Sequence, residues 1–336
     1  MNRNLDKISP YIVSDREYTS DMIYLDWNEG YKLSDSIIDS ITTELHSTKW
    51  NQYPDLSSRD LLDRLSEYTN TDKEFIQVYN GSDSALDHSF RILLNDGDTV
   101  IIPAPNYSQI NQTITSLGGI IKYCDIGRLE EAIKETKNLK VVYISNPNNP
   151  IGYVYDIRPL VKKYPEIFFI VDEAYYEFSK QYSMFDSAFR YPNVIVTRTF
   201  SKALGLASIR LGYLTSNSYI VSKLSKIKNF KEVNQVAQIA GKVVLDNVHL
   251  VEAGIILMKT IKDEFLESIK GVRVYDSHSN FVLIEHPLVN KIIADLRDNN
   301  ILVRDRSNYI NNTMRITIGN DSDMKTISNI INKYSL

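Results

Sequence analysis

Between Phe75 and Thr197 short apolar runs alternate with amphipathic stretches, and this alternation constrains the fold more than any other feature of the chain. Phe75 to Tyr79, Thr99 to Ile102, Val141 to Ile144, Ile167 to Val171 and Val194 to Thr197 read as buried strands. Leu56 to Tyr68, Ser84 to Leu94, Leu129 to Thr136 and Asp156 to Lys163 read as helices with one apolar face. Repeated units of this kind predict an α/β fold of three α/β/α layers around a mostly parallel sheet. Ligands of such sheets bind beyond the carboxyl ends of the strands. The informative residues should therefore follow each apolar run.

They do. Asn80-Gly81-Ser82-Asp83 follows the first run and opens a helix, and Ser145-Asn146-Pro147-Asn148-Asn149-Pro150 follows the third. Asp172-Glu173-Ala174-Tyr175 and Arg198-Thr199-Phe200-Ser201-Lys202 follow the next two. Apolar packing requires none of these residues, so the four strand ends predict one composite site. From about Phe230 the pattern changes to a long helical stretch and the short runs Val272 to Val274, Phe281 to Ile284, Ile301 to Val303 and Met314 to Ile318. The expected division is a large domain over residues 36–230 and a smaller α+β domain built from residues 1–35 and 231–336.

Composition narrows the function. With 336 residues, 43% hydrophobic and 24% charged, the chain has material for about two globular domains. A formal net charge of −4, from 38 basic and 42 acidic side chains, offers no footprint for nucleic acid or anionic lipid. Cys124 is the single cysteine, which excludes an internal disulfide, and no Cys/His spacing suits zinc. The first twenty residues lack the apolar centre of a signal peptide, and no run reaches the roughly 18 apolar residues of a membrane span, so a soluble, cytoplasmic protein is expected. No GxGxxG follows the first strand, which argues against a nicotinamide cofactor. Tyrosine is in excess, 22 against 11 Phe and 2 Trp. Its apolar body and polar tip suit wet pockets and interfaces.

The strand-end residues suggest a chemistry. A lysine after a strand is usually a solvated surface residue, but Lys202 has the hydroxyls of Thr199 and Ser201 beside it and Arg210 eight residues on. Arginine supplies a bidentate anion fork, and the helix start at Gly81-Ser82-Asp83 supplies backbone amides with a helix dipole behind them. Hydroxyls, guanidinium and amides together describe a phosphate cup beside an amine. Pyridoxal 5′-phosphate carries both an aldehyde for that amine and a phosphate for that cup. Asp172 can then pair with the pyridine nitrogen, Asn149 and Tyr175 can hydrogen-bond the phenolic oxygen, and Tyr107 can stack on the ring. Each residue also has a plain alternative. Gly81 and Gly205 can serve a turn, Asp172 an N-cap, and Arg210 and Arg315 surface ion pairs. Those alternatives become poor when five must coincide.

In the order and spacing of its motifs the chain resembles the fold-type I pyridoxal-phosphate enzymes, aminotransferase class I/II, and most closely the histidinol-phosphate aminotransferases. The strings are NQYPD from Asn51, NGSD from Asn80, SNPNNPIG from Ser145, VDEAYYEF from Val171, TFSKALGLASIRLGY from Thr199 and MRITIG from Met314. The resemblance runs from about Tyr24 to the C-terminus. It implies Lys202 as the Schiff-base lysine and proton carrier, with Ser201, Arg210 and the amides of Ser82 and Asp83 on the phosphate. It implies a homodimer in which Tyr53 reaches across to the other subunit's phosphate. Arg315 matches the arginine for the substrate carboxylate, and Arg304 a position facing the substrate's distal anion. Asn28 and Glu29 match a segment that folds over the site. Ile151 stands where the family has Thr, and Gly30-Tyr31 follows Asn28-Glu29 where a proline is usual. These departures bear on substrate rather than cofactor. The expected reaction is amino exchange between glutamate and a phosphorylated amino compound, histidinol phosphate first. Another small phosphorylated substrate, or decarboxylation of an O-phospho amino acid, are the alternatives.

Overall fold

The computed structural model describes residues 3–8, 19 and 21–335; the remainder of the N-terminal segment assigned to the smaller domain lies outside the described residues. The strands are β1 (Ile23–Tyr24), β2 (Ile76–Tyr79), β3 (Thr99–Pro103), β4 (Ile120–Cys124), β5 (Leu139–Ser145), β6 (Phe168–Asp172), β7 (Val194–Thr199), β8 (Gly212–Ser216), β9 (Arg273–Val274), β10 (Phe281–Glu285), β11 (Ile301–Leu302), β12 (Arg304–Asp305) and β13 (Thr313–Thr317). The α-helices are α1 (Asp35–His46), α2 (Arg59–Thr69), α3 (Gly81–Leu93), α4 (Ile110–Ser116), α5 (Leu129–Glu135), α6 (Arg158–Lys163), α7 (Ser218–Ser225), α8 (Gln235–Asp246), α9 (Val248–Ser268), α10 (Val289–Asp298) and α11 (Asp321–Asn332). Among the described residues no helix is long and apolar enough to cross a membrane.

Seven strands form the main sheet in the order β2-β8-β7-β6-β5-β3-β4, parallel except for β8, which runs antiparallel to both neighbours. Alternation along the strands fills both faces. Ile170, Ile195, Leu214 and Tyr143 pack with Leu86 and Phe90 of α3 and with Ile220 and Leu224 of α7. Phe169, Val171, Val142 and Val196 turn the other way, toward Leu61 and Leu65 of α2 and Ala240 and Val244 of α8. Two strands were not singled out in the sequence. Gly-Tyr-Leu-Thr-Ser of β8 reads as polar, yet all five residues are buried, and the Ser216 hydroxyl donates to the Val194 carbonyl at 2.5 Å. Strand β4 lies at the sheet edge with Ile120 and Tyr123 exposed, so it carries no continuous apolar run. Helix α3 begins at Gly81, within the Asn80 to Asp83 string expected to open it, and its amphipathic stretch from Ser84 continues that helix.

The C-terminal part forms an antiparallel sheet, β12-β13-β10-β9. Strand β1 pairs in parallel with β11, and Leu25 bridges to both β11 and β13, its amide donating to the Leu302 carbonyl and its carbonyl accepting from the Thr317 amide. This ties residues 23–25 to the C-terminal part and aims the following segment across the carboxyl edge of the main sheet.

Behind that edge lies a buried charge cluster. The Arg198 guanidinium pairs with Glu173 at 2.9 Å and lies 3.3 Å from the centre of the Tyr176 ring. Glu177 is also buried, with the Tyr68 hydroxyl 3.4 Å from one carboxylate oxygen. Among the described residues its Oε2 has no hydrogen-bond partner. Burial pushes the Glu177 carboxyl up to about 7 against the pull of Arg198. A carboxyl raised in the native state binds more protons there than in the unfolded chain, so stability falls as pH rises from about 4.5 to about 7. Glu177→Gln removes that dependence. Its melting temperature relative to wild type should rise more at pH 8 than at pH 5, by an amount worth about 3 kcal/mol at most; equal shifts at both pH values refute it.

Candidate active site

Ser145, Asp172 and Thr197 lie level with one another at the carboxyl ends of β5, β6 and β7. The buried Asp172 carboxylate accepts hydrogen bonds from the Tyr143 hydroxyl at 3.0 Å and the Thr197 hydroxyl at 3.2 Å. Burial, helped by the charge of Asp83, pushes its pKa up to about 6. The carboxylate is thus held by two hydroxyl donors, and its charge is disfavoured by burial.

Three residues on, the buried Tyr175 hydroxyl accepts from Asn28 Nδ2 at 2.8 Å and from Asn149 Nδ2 at 3.3 Å. Asn149 Oδ1 in turn accepts from Arg315 Nη1 at 2.6 Å, and Arg315 Nη2 donates to the Asp26 carbonyl at 2.6 Å. Asn28 adopts a left-handed φ of 55°, which an asparagine tolerates better than most residues. Its amide donates to the Thr317 hydroxyl on β13. Asn280 holds the carbonyls of Asn28 and Glu29 through one side-chain amide. The segment expected to fold over the site therefore does so, and Tyr175, Asn149, Arg315 and Asn28 form one connected network. Arg315 is 3% exposed, and among the described residues its Nε has no partner. Burial, with Arg306 and then Arg304 nearby, pushes its pKa down to about 9. Arg304 faces Arg315 directly across β12 and β13.

Lys202 is half-buried, with its Nζ donating to the Trp27 carbonyl at 2.8 Å and lying 5.9 Å from the centre of the Tyr175 ring. Burial and the charge of Arg315 bring its pKa down to about 8. The backbone on either side is close. A Cβ on Gly30 would sit 1.9 Å from the Lys202 carbonyl oxygen, so the folded-over segment requires glycine there.

Helix α3 points its first turn at the same region. Arg210, itself at a left-handed φ of 56°, donates through Nη1 to the Ser201 hydroxyl at 3.2 Å and through Nη2 to Asp83 at 3.0 Å. The Tyr107 hydroxyl lies 3.0 Å from the same carboxylate and 2.6 Å from Gln109 Oε1. The Thr199 hydroxyl accepts from the Ser201 amide, which shapes the loop carrying Ser201 and Lys202. Ser201, Arg210 and the α3 amides of Ser82 and Asp83 are thus gathered as expected, although Asp83 engages one end of the guanidinium. Gly212 permits that approach, since a Cβ there would lie 2.3 Å from the Ser82 nitrogen. Tyr53 stands apart, 74% exposed, with Lys231 Nζ 4.2 Å from its ring centre. Among the described residues no group of three or more His, Cys, Asp or Glu is placed to hold a metal.

Several contributors escape a reading by strand ends. Tyr143 lies inside β5 and Asp26 acts through its carbonyl. Glu232, 149 residues beyond Asp83, accepts from the Asn80 amide and the Ser84 hydroxyl and so anchors the start of α3. Only the tertiary fold places these groups.

Gly212→Ala should force the α3 terminus away from Arg210 and weaken binding of a phosphate-bearing cofactor by about tenfold or more, measured by absorbance titration; unchanged affinity refutes the cradle. Lys202 has a depressed native pKa, so its buried charge costs stability below about pH 8 and that cost vanishes as pH approaches 10.5. Cofactor-free Lys202→Met should therefore melt about 2 °C or more above cofactor-free wild type at pH 7, with the gap closing at high pH.

The comparisons agree with this geometry. The family model for aminotransferase class I and II matches residues 20–331. A dihydroxyacetone phosphate transaminase of Campylobacter jejuni is 32% identical over 99% of this chain and 97% of its own. A histidinol-phosphate aminotransferase of Clostridium kluyveri is 30% identical over 98% of this chain and 97% of its own. Among solved structures, histidinol-phosphate aminotransferase from Sinorhizobium meliloti, in complex with pyridoxal 5′-phosphate, superposes with a TM-score of 0.87 at 22% identity, covering 99% of this chain and 97% of that one. The chain is a pyridoxal-phosphate-dependent enzyme of the class I/II aminotransferase family, with the fold-type I architecture.

Proposed function

We propose that this protein transfers an amino group between glutamate and a small phosphorylated compound, histidinol phosphate first. The observation that carries the reading is the gathering of a half-buried lysine, the buried Asp172 carboxylate and the Arg315 and Arg306 guanidiniums around Tyr175. Pyridoxal phosphate supplies an electron sink for the substrate's α-carbon, and the residues present fit it. Asp172 would hold the ring nitrogen, Asn149 and Tyr175 the phenolic oxygen, and Tyr107 the ring face. Ser201, Arg210, Thr199 and the amides of Ser82 and Asp83 would hold the phosphate.

The chain's own groups then divide the work. Lys202 would hold the cofactor through its amine, and would hold and move the proton at the substrate carbon. An amine with a pKa near 8 is suited to both giving and taking a proton at neutral pH. Arg315 binds the glutamate α-carboxylate, oriented by Asn149 and the Asp26 carbonyl. Asn28 and Glu29 cover the site and exclude water. Neither histidinol phosphate nor dihydroxyacetone phosphate carries an α-carboxylate, so the phosphorylated partner must draw its binding from the distal side, where Arg304 stands. Dihydroxyacetone phosphate is the second reading, favoured by the Campylobacter relative.

The proposal includes a cytoplasmic homodimer. Trp50, Tyr53 and Phe230 are 71%, 74% and 60% exposed, and Lys231 lies over the Tyr53 and Phe230 rings. Tyr53 and Phe230, joined through Lys231, suit burial against a second copy, from which Tyr53 would reach the neighbouring phosphate. Residues 36–230 would form the large domain and residues 1–35 with 231–336 the small one; the β1–β11 pairing supports the N-terminal part of this division, whereas α8 packs with α2 on the main sheet.

The purified holoprotein should be yellow, and Lys202→Ala should lose that absorbance. Glutamate should bleach it to the pyridoxamine form. Histidinol phosphate with 2-oxoglutarate, or dihydroxyacetone phosphate with glutamate, should then turn over. Release of CO₂ from O-phosphothreonine or O-phosphoserine without 2-oxoglutarate turnover would overturn the aminotransferase assignment in favour of a decarboxylase.

A further inference from the structure

We propose that Arg306 is a specificity-determining residue that binds the substrate's distal phosphate dianion at the mouth of the site; this rests on the phosphorylated-substrate reading above. The ladder between β12 and β13 continues past its last paired residue, because the Arg306 amide donates to the Thr313 carbonyl at 2.9 Å. Side chains alternate along a strand, so Arg304 and Arg306 share the face that carries Arg315. The chain then turns back, with the amides of Tyr309 and Ile310 donating to the Arg306 carbonyl. This turn sets the Arg306 guanidinium 5.4 Å from the centre of the Tyr309 ring. A guanidinium stacked on an aromatic face is pre-oriented and loses less freedom when it meets an anion.

The charge of Arg306 also reaches the centre of the site. It is the largest charge influence on Arg315, ahead of Arg304, and it favours the ionised form of Tyr175. Arg315 already spends two of its five N–H donors on Asn149 and the Asp26 carbonyl. Three donors remain, which a carboxylate uses well but which fall short of what the three oxygens of a phosphate dianion can accept, so a phosphate calls for further donors. Three guanidiniums on one face repel one another, and a bound dianion relieves that repulsion. Arg306 is half-buried and Tyr309 exposed, so the pair stands on the solvent side of Arg315, open to an anion that arrives from outside.

The test compares two half-reactions in the holoenzyme by single-turnover absorbance. Arg306→Gln should lower kcat/KM for histidinol phosphate or dihydroxyacetone phosphate by about 10- to 100-fold, the effect of losing one charge-assisted hydrogen bond. The glutamate half-reaction should change by less than about threefold, and Arg306→Lys should recover part of the loss. Below about pH 6 the phosphate dianion takes up a proton and becomes a monoanion, and the accompanying fall in wild-type kcat/KM should be smaller in Arg306→Gln. Equal losses with glutamate and with the phosphorylated substrate, or no loss with either, would overturn the proposal. If wild type reacts with glutamate but with no phosphorylated compound, the substrate reading fails and this inference fails with it.

Discussion

The buried guanidinium of Arg315 is the constraint on which the remaining site depends. It sits on β13, reaches Asn149 in the loop after β5, and grips the Asp26 carbonyl of the segment that crosses the sheet edge. Three stretches far apart in sequence are thereby fixed by one side chain. The same grip passes through Asn149 to Tyr175, and Asn28 reaches Tyr175 from the other side. A buried cation with incomplete hydrogen bonding is expensive unless an anion comes to it, so the groups that organise the protein around the opening also leave it prepared for a carboxylate.

A similar tension runs through the cofactor region. Asp172 is held by two hydroxyl donors in a place where its charge is disfavoured, and Lys202 is held by a carbonyl where its charge is disfavoured. Each is poorly satisfied alone, so each would be complemented by a group of opposite character. Close backbone contacts sharpen the arrangement, since Gly30 admits the crossing segment against Lys202 and Gly212 admits the α3 terminus. Glycine at these points is required by distance.

The main sheet was legible because buried parallel strands need continuous apolar runs, and five of them have such runs. Strands β4 and β8 were not, for opposite reasons. The first is exposed at an edge, and the second buries hydroxyls that find partners only once β7 lies alongside. Lys202, Asp172, Tyr175 and Arg210 were legible because each follows a strand as a polar residue that packing does not require. Tyr143, Asp26, Glu232 and Arg306 gave no such signal. They act through a strand interior, a backbone carbonyl, a distant helix start and a turn.

The sequence by itself determined the layered α/β class and the cofactor, because periodicity and strand-end polarity are local properties. Only the tertiary structure decided which donors Arg315 has left, that Asp83 engages Arg210, and that Arg304 and Arg306 share a face with Arg315. Those facts depend on register between strands and on contacts across hundreds of residues, where hydrogen-bond geometry and burial act and local pattern carries no information.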